Sequence, residues 1–188
     1  MFNAHHRLAL LEGQPSTIDP DVYAPDADPI VTTGRLWLVA RETIEAGAPD
    51  AAVDYLRRQA RPRPHPQAVR AAVDAAATGS ESRWHDALAI AVEQGLRPIA
   101  TDAFEGLAVA AARTEHWPDC LHLLAAAQRL RDQTGYVWRF GCEQRAVDHT
   151  RAIAVDALGD DDASAAATGS DVDWRAVAAD VARDRARS

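Results

Sequence analysis

The chain has no lysine; its twenty basic residues are all arginine. A Walker A loop needs a lysine on the β- and γ-phosphates, and Schiff-base catalysis needs a side-chain amine, so these residues supply neither. Cysteine is scarce too: Cys120 and Cys142 are too few for a disulfide framework and lie far apart in the sequence. Each falls on a predicted helix and reads as a reduced, partly buried small residue. The longest apolar run, Leu107–Ala112, falls far short of the roughly 20 residues that span a membrane. Met1–Gly13 sets His5, His6 and Arg7 inside its only apolar stretch, which is no signal-peptide pattern. The expectation is a soluble protein in a reducing, cytoplasmic setting, with no membrane partner. Aromatic residues make up only 6% of the chain, β-branched runs are short and alanine is abundant, which favours an all-α fold. The formal net charge of −8 argues against nucleic-acid binding, because affinity for phosphates is carried by basic residues.

What the chain does have is a clean helical periodicity, strongest over Thr101–Gly135. Phe104, Leu107, Ala108, Ala111 and Ala112 fall on one stripe, and Leu121, Leu124, Ala127 and Leu130 on another. That three-to-four-residue recurrence fits a helix and no strand. The spacing predicts two antiparallel helices joined by a turn at Glu115–Trp117 and stopped by Gly135. Ala108, Ala111, Cys120 and Ala127 are small residues placed where the two helices approach closely.

Weaker units of the same kind precede it. Gly34–Gly47 reads as a helix with Leu36, Val39, Ala40, Thr43 and Ile44 on one face. Pro49 stands at the first position of the next, ahead of Ala52, Val53 and Leu56, where a proline is favoured. Its basic end, with Arg57, Arg58, Arg61 and Arg63, complements a helix macrodipole and needs no ligand. Arg61–Pro66 is read as a loop, and Ala68–Ala77 with Ser82–Gln94 as another pair, turning at Gly79-Ser80. Upstream, Phe2–Glu12 is a short helix candidate, and Gln14–Thr33, with Pro15, Pro20, Pro25 and Pro29, is a linker that excludes helix. Downstream, Tyr136, Trp138 and Phe140 alternate in a short extended segment. Helices then follow at Glu143–Leu158, facing in with Val147, Thr150, Ala154, Ala157 and Leu158, and at Ala163–Thr168 behind Asp160–Asp162. The last carries Trp174, Val177, Ala178 and Val181 inward behind Asp171 or Asp173 as cap.

Aligning Pro49-Asp50, His85-Asp86 and Pro118-Asp119 as the starts of second helices gives intervals of 36 and 33 residues. A helix–turn–helix unit recurring about every 34 residues is the tetratricopeptide pattern. The expected architecture is therefore a tetratricopeptide-like array of antiparallel helix hairpins, a short α-solenoid. It divides into an N-terminal helix and Pro/Asp-rich linker (1–33), three hairpins (34–135) and C-terminal capping helices (136–188). On that pattern the residues facing the concave groove are Asp102, Glu105, Val109, Ala112 and Arg113.

Trp84–Leu88, Gly95–Pro98, Asp102–Val109, Cys120–Asp132 and Gly135–Asp148 carry a family resemblance. They resemble the C-terminal tetratricopeptide-like region of large actinobacterial LuxR-family regulators, of the MalT/AfsR group of signal-transduction ATPases. The resemblance is good from about Ser82 to Arg185 and looser before Pro66. In that family the region lies between a nucleotide-binding ATPase domain and a C-terminal helix-turn-helix. Neither is legible here, so the resemblance implies the relay or contact role of the module and not ATP hydrolysis or promoter binding. It also leaves open a piece of a larger regulator or a stand-alone remnant.

Residues with catalytic or ligating potential do not assemble in the sequence. His116, Cys120 and His122 lack the convergent spacing that zinc needs, and Asp160–Asp162 lacks the spacing of an EF-hand loop. Glu143 and Arg145 read as a polar network around Trp138 and Arg139. No metal or cofactor is expected. The function expected is non-enzymatic: a helical-repeat module of a regulator that contacts a protein partner or another domain. A small-ligand sensor, or a small nucleotide-handling enzyme, is the alternative.

Overall fold

The computed structural model describes residues 37, 39–58, 65–136, 141–168 and 173–186. Among them every regular element is a helix, and there are nine. We number them α1 (37 and 39–45), α2 (Pro49–Arg58), α3 (His65–Thr78), α4 (Glu81–Gln94), α5 (Arg97–Arg113), α6 (Trp117–Thr134), α7 (Gly141–Leu158), α8 (Asp160–Thr168) and α9 (Trp174–Arg185). The helix candidate at 2–12, the proline-rich linker at 14–33 and the aromatic segment at 137–140 lie outside the described residues.

Local chemistry sets the helix boundaries. Pro49, Pro98 and Pro118 each stand in the first turn of a helix, where a missing N–H leaves nothing unpaired. Pro66 does the same in α3, so the helix begins at His65, inside the stretch read as a loop. Gly135 closes α6 with φ of 64° and returns its N–H to the carbonyl of Arg131. The α5–α6 turn instead asks Glu115, a residue with a side chain, to take φ of 61°. Asp173 caps α9 by accepting a hydrogen bond from the backbone N–H of Arg175 at 3.4 Å. Asp160–Asp162 lie within the first turn of α8 and not ahead of it, where their charge still suits the helix dipole.

From α2 to α8 each helix packs on the next, and α5–α6 is the most extensive pair. Phe104, Leu107 and Ala108 of α5 and Leu121, Leu124, Ala127 and Leu130 of α6 are buried, and Cys120 is fully enclosed between them. Burial pushes the Cys120 thiol up to about 11, which leaves it a packing residue and no nucleophile at neutral pH. The single apolar stripe read on α5 understates its burial. Every residue from Ile99 to Glu105 is buried, because α3, α4, α6 and α7 surround it. On α7, Val147, Thr150 and Ala154 face in as expected, but Ala157 is exposed and Val155 packs in its place.

His85-Asp86, aligned above as a helix start, sit more than a turn into α4, which begins at Glu81. The second helices therefore begin at Pro49, Glu81 and Trp117, at intervals of 32 and 36 residues. The last helix turns back on the middle of the chain. α9 buries Trp174, Val177 and Ala178 and packs on α4 and α6, with Trp174 beside Ala126 and Leu130 of α6.

Candidate functional site

The buried face of α5 brings two acids into the core. Asp102 and Glu105 are one helical turn apart and so project from the same side, and their side chains are almost wholly enclosed. Two arginines from distant segments meet them. Arg41 of α1 donates through Nη1 to Asp102 Oδ2 at 2.6 Å, and through Nε to Glu143 Oε1 of α7 at 2.6 Å. Arg131 of α6 grips Glu105 in a two-pronged pair, Nε to Oε1 at 2.8 Å and Nη2 to Oε2 at 2.9 Å. The same guanidinium lies 3.8 Å from Asp102 and donates to the Tyr136 carbonyl at 3.0 Å. Aromatic faces close the network: Arg41 stacks over Trp37 at 4.4 Å and Arg131 over Tyr136 at 4.8 Å.

The charge balance of this cluster decides its protonation. Among the described residues two guanidiniums, Arg41 and Arg131, meet the carboxyl groups of Asp102, Glu105 and Glu143. Burial pushes Asp102 up to about 7, with Glu143 and Glu105 adding to the rise and Arg41 and Arg131 opposing it. Burial works against the charge on Arg41, but Asp102 and Glu143 override it and hold the guanidinium above its ordinary range. Burial, then Asp102, likewise raises the Tyr136 phenol, which keeps its proton and lies 3.4 Å from both Asp102 oxygens.

A stability effect follows, and its sign is fixed. The folded protein holds a proton on Asp102 up to about pH 7, whereas the unfolded chain releases it near 3.8. The native state therefore binds more protons across that window, and stability falls as pH rises through it. The slope from this one group is at most about 1.4 kcal/mol per pH unit. Urea denaturation at pH 5, 6, 7 and 8 should give a falling contribution that levels off above 7. Asp102→Asn, which is neutral at every pH, should remove that component.

Beside the network a cavity of about 220 Å³ opens between α1, α3, α5 and α7. Asp102, Glu105, Val109 and Arg113 line it, so four of the five residues assigned to the groove do meet at one place. Ala112 is half-buried and does not line it. The roles differ from the sequence reading, however. Asp102 and Glu105 are buried members of the structural network, while Val109 is half-buried and Arg113 is exposed. Arg113 donates to the Gly79 carbonyl at 3.3 Å, beyond the end of α3. Ile44, Ala76 and Val147 contribute apolar walls. Trp84 also lines the cavity, and its indole lies flat over Gly106: a Cβ at that glycine would stand 2.1 Å from the ring.

Arg41, Arg131, Tyr136 and Gly106 were not legible as site residues. Glu143 was placed with Arg145, but it pairs with Arg41 across 102 positions, and Arg145 is exposed. The one available signal was two acids at i and i+3 on an otherwise apolar helix, in a chain whose only cations are arginines. No group of three or more His, Cys, Asp or Glu among the described residues is arranged to hold a metal ion. Among the described residues no helix is long and apolar enough to cross a membrane.

Among the described residues the fold is all-helical, with α3, α4, α6 and α7 packed around α5. Searches against protein families, curated proteins and solved structures find no match.

Proposed function

We propose that this chain is a non-enzymatic helical-repeat module, tetratricopeptide-like, that mediates protein contact or relays a signal within a LuxR-family transcriptional regulator. The supporting observation is the groove: a partly apolar cavity between four helices, anchored by a rigid ion network and rimmed by an exposed arginine. The recurrence of second helices at Pro49, Glu81 and Trp117 agrees with a degenerate repeat of about 34 residues. A cavity of this size accepts one or two apolar side chains of a partner segment, and Arg113 offers a cation to a neighbouring acidic residue. Cation and cavity lie on the same helix, α5, so a partner reads both at a fixed spacing.

Selection from a random peptide library on the folded chain tests this reading. Enriched peptides should combine an apolar anchor with an acidic residue. Arg113→Glu should weaken them about tenfold, the worth of one charged hydrogen bond. Melting should move by only a few degrees, because the side chain is exposed and one helix-end contact is lost. Glu105 is unsuitable for the same test, since reversing a buried ion disrupts the fold before it informs on binding. Peptides that bind wild type and Arg113→Glu equally, and bind a Val109→Gln chain as well, would remove the groove from consideration.

A further inference from the structure

Ala126, Arg129, Leu130 and Gln133 of α6 recur at the three- and four-residue spacing of one helix face, and Trp174 of α9 lies against that face. Ala126 and Leu130 are buried beside the indole, while Arg129 and Gln133 bring polar heads to the same place. Alanine at 126 contributes only a methyl group, and the five residues leave between them a cavity of about 10 Å³. That is close to the least space that holds one water molecule.

Trp174 is only 6% exposed, and Arg175 covers one face of its ring, with the guanidinium carbon 4.7 Å from the centroid. The indole Nε1–H can donate and cannot accept, and it is enclosed without an acceptor among the described residues. Burying such a donor unbonded is costly, so nearly all of them meet either protein or an ordered water. Arg129 adds further N–H donors to the cavity wall, and its Nη2 is enclosed as well. Donors cannot satisfy one another, so the place calls for a small acceptor. No carboxylate lines the cavity to serve as one. Gln133 offers an amide carbonyl, which accepts, on the remaining side.

We propose that one water molecule is a fixed member of the contact between α6 and α9. It accepts hydrogen bonds from Trp174 Nε1 and the Arg129 guanidinium and donates to the side-chain carbonyl of Gln133, three bonds being the usual number for a buried water. The water ties the last helix to α6 at the point where Ala126 leaves the apolar packing incomplete. An organic group is too large for the space, and a cavity that stays dry has apolar walls. The site shares no residue with the groove and does not depend on it.

A crystal structure of the whole chain that resolves ordered water should place one within about 3 Å of both Trp174 Nε1 and an Arg129 nitrogen. In solution, nitrogen-edited NMR should show a cross-peak between the Trp174 indole proton and water, with the sign of a long-lived contact. The loss of one indole resonance in Trp174→Phe assigns it among the five tryptophans. Gln133→Leu, at an exposed position, removes one of the three partners and should weaken that cross-peak severalfold, with the fold retained. An indole proton that resists exchange yet shows no water cross-peak would overturn the proposal. So would a protein acceptor on Nε1, an unchanged cross-peak in Gln133→Leu, or a halide at the site, revealed by the anomalous signal of a bromide soak.

Discussion

Replacing Arg131 by methionine should cost about 3–5 kcal/mol of folding stability, the usual effect of removing one partner from a buried ion pair. Arg131 is enclosed, and its guanidinium holds both oxygens of Glu105, the Tyr136 carbonyl and the flank of Asp102. Methionine fills most of the volume but takes the two-pronged guanidinium partner from the Glu105 carboxylate in an almost enclosed place. For a chain of this length the loss lowers the melting temperature by roughly 10 °C. Two companion variants separate charge from shape. Arg131→Lys keeps the positive charge but not the planar fork, and should recover only part of the loss. Arg131→Met combined with Glu105→Leu removes both ions and should recover most of it, because apolar replacements of similar volume are often neutral. Differential scanning calorimetry of the four proteins checks this. A single variant within about 0.5 kcal/mol of wild type would mean that the network contributes nothing to stability.

Gly106→Ala is the second large effect, and its sign is opposite to helix propensity. In the interior of a solvated helix the change gains about 1 kcal/mol, since glycine is the costlier residue there. Here the added Cβ stands 2.1 Å from Cε2 and 2.4 Å from Cδ2 of Trp84, atoms of a rigid ring. Trp84 is itself buried, so α4 and α5 have to separate or the indole has to leave its place. The net expectation is a loss of about 1–3 kcal/mol, as for other overpacked cores. Trp84→Leu makes room, so the alanine should cost less in that background than in the wild type. The difference is a coupling energy readable from urea titrations. Additive effects would show that the two residues do not meet.

Helix periodicity and the terminating residues of the hairpin Thr101–Gly135 were readable in sequence, because both depend on neighbours within a turn or two. Phe104, Leu107, Leu121, Leu124, Ala127 and Leu130 are buried where their spacing placed them. Gly47, Gly79, Gly95 and Gly135 take the left-handed backbone at the helix ends where the chain was read to turn or stop. The same locality made Pro66 misleading: a proline that breaks a helix interior is harmless in a first turn, and only the packed helix tells the two apart. The groove was legible in part, since four of its residues lie on one face of α5.

Composition and local pattern by themselves determined that the regular elements are helices and that lysine chemistry is absent. Tertiary structure alone decided what the polar residues do. Asp102 and Glu105 read as exposed contacts because acids prefer water, yet α5 is surrounded, and Arg41 and Arg131 arrive from 61 and 26 positions away. No periodicity encodes such a meeting, because the pairing depends on which helices pack around α5. Local sequence sets the helices through short-range hydrogen bonding and side-chain spacing, whereas burial and ion pairing are set by contacts between residues remote along the chain.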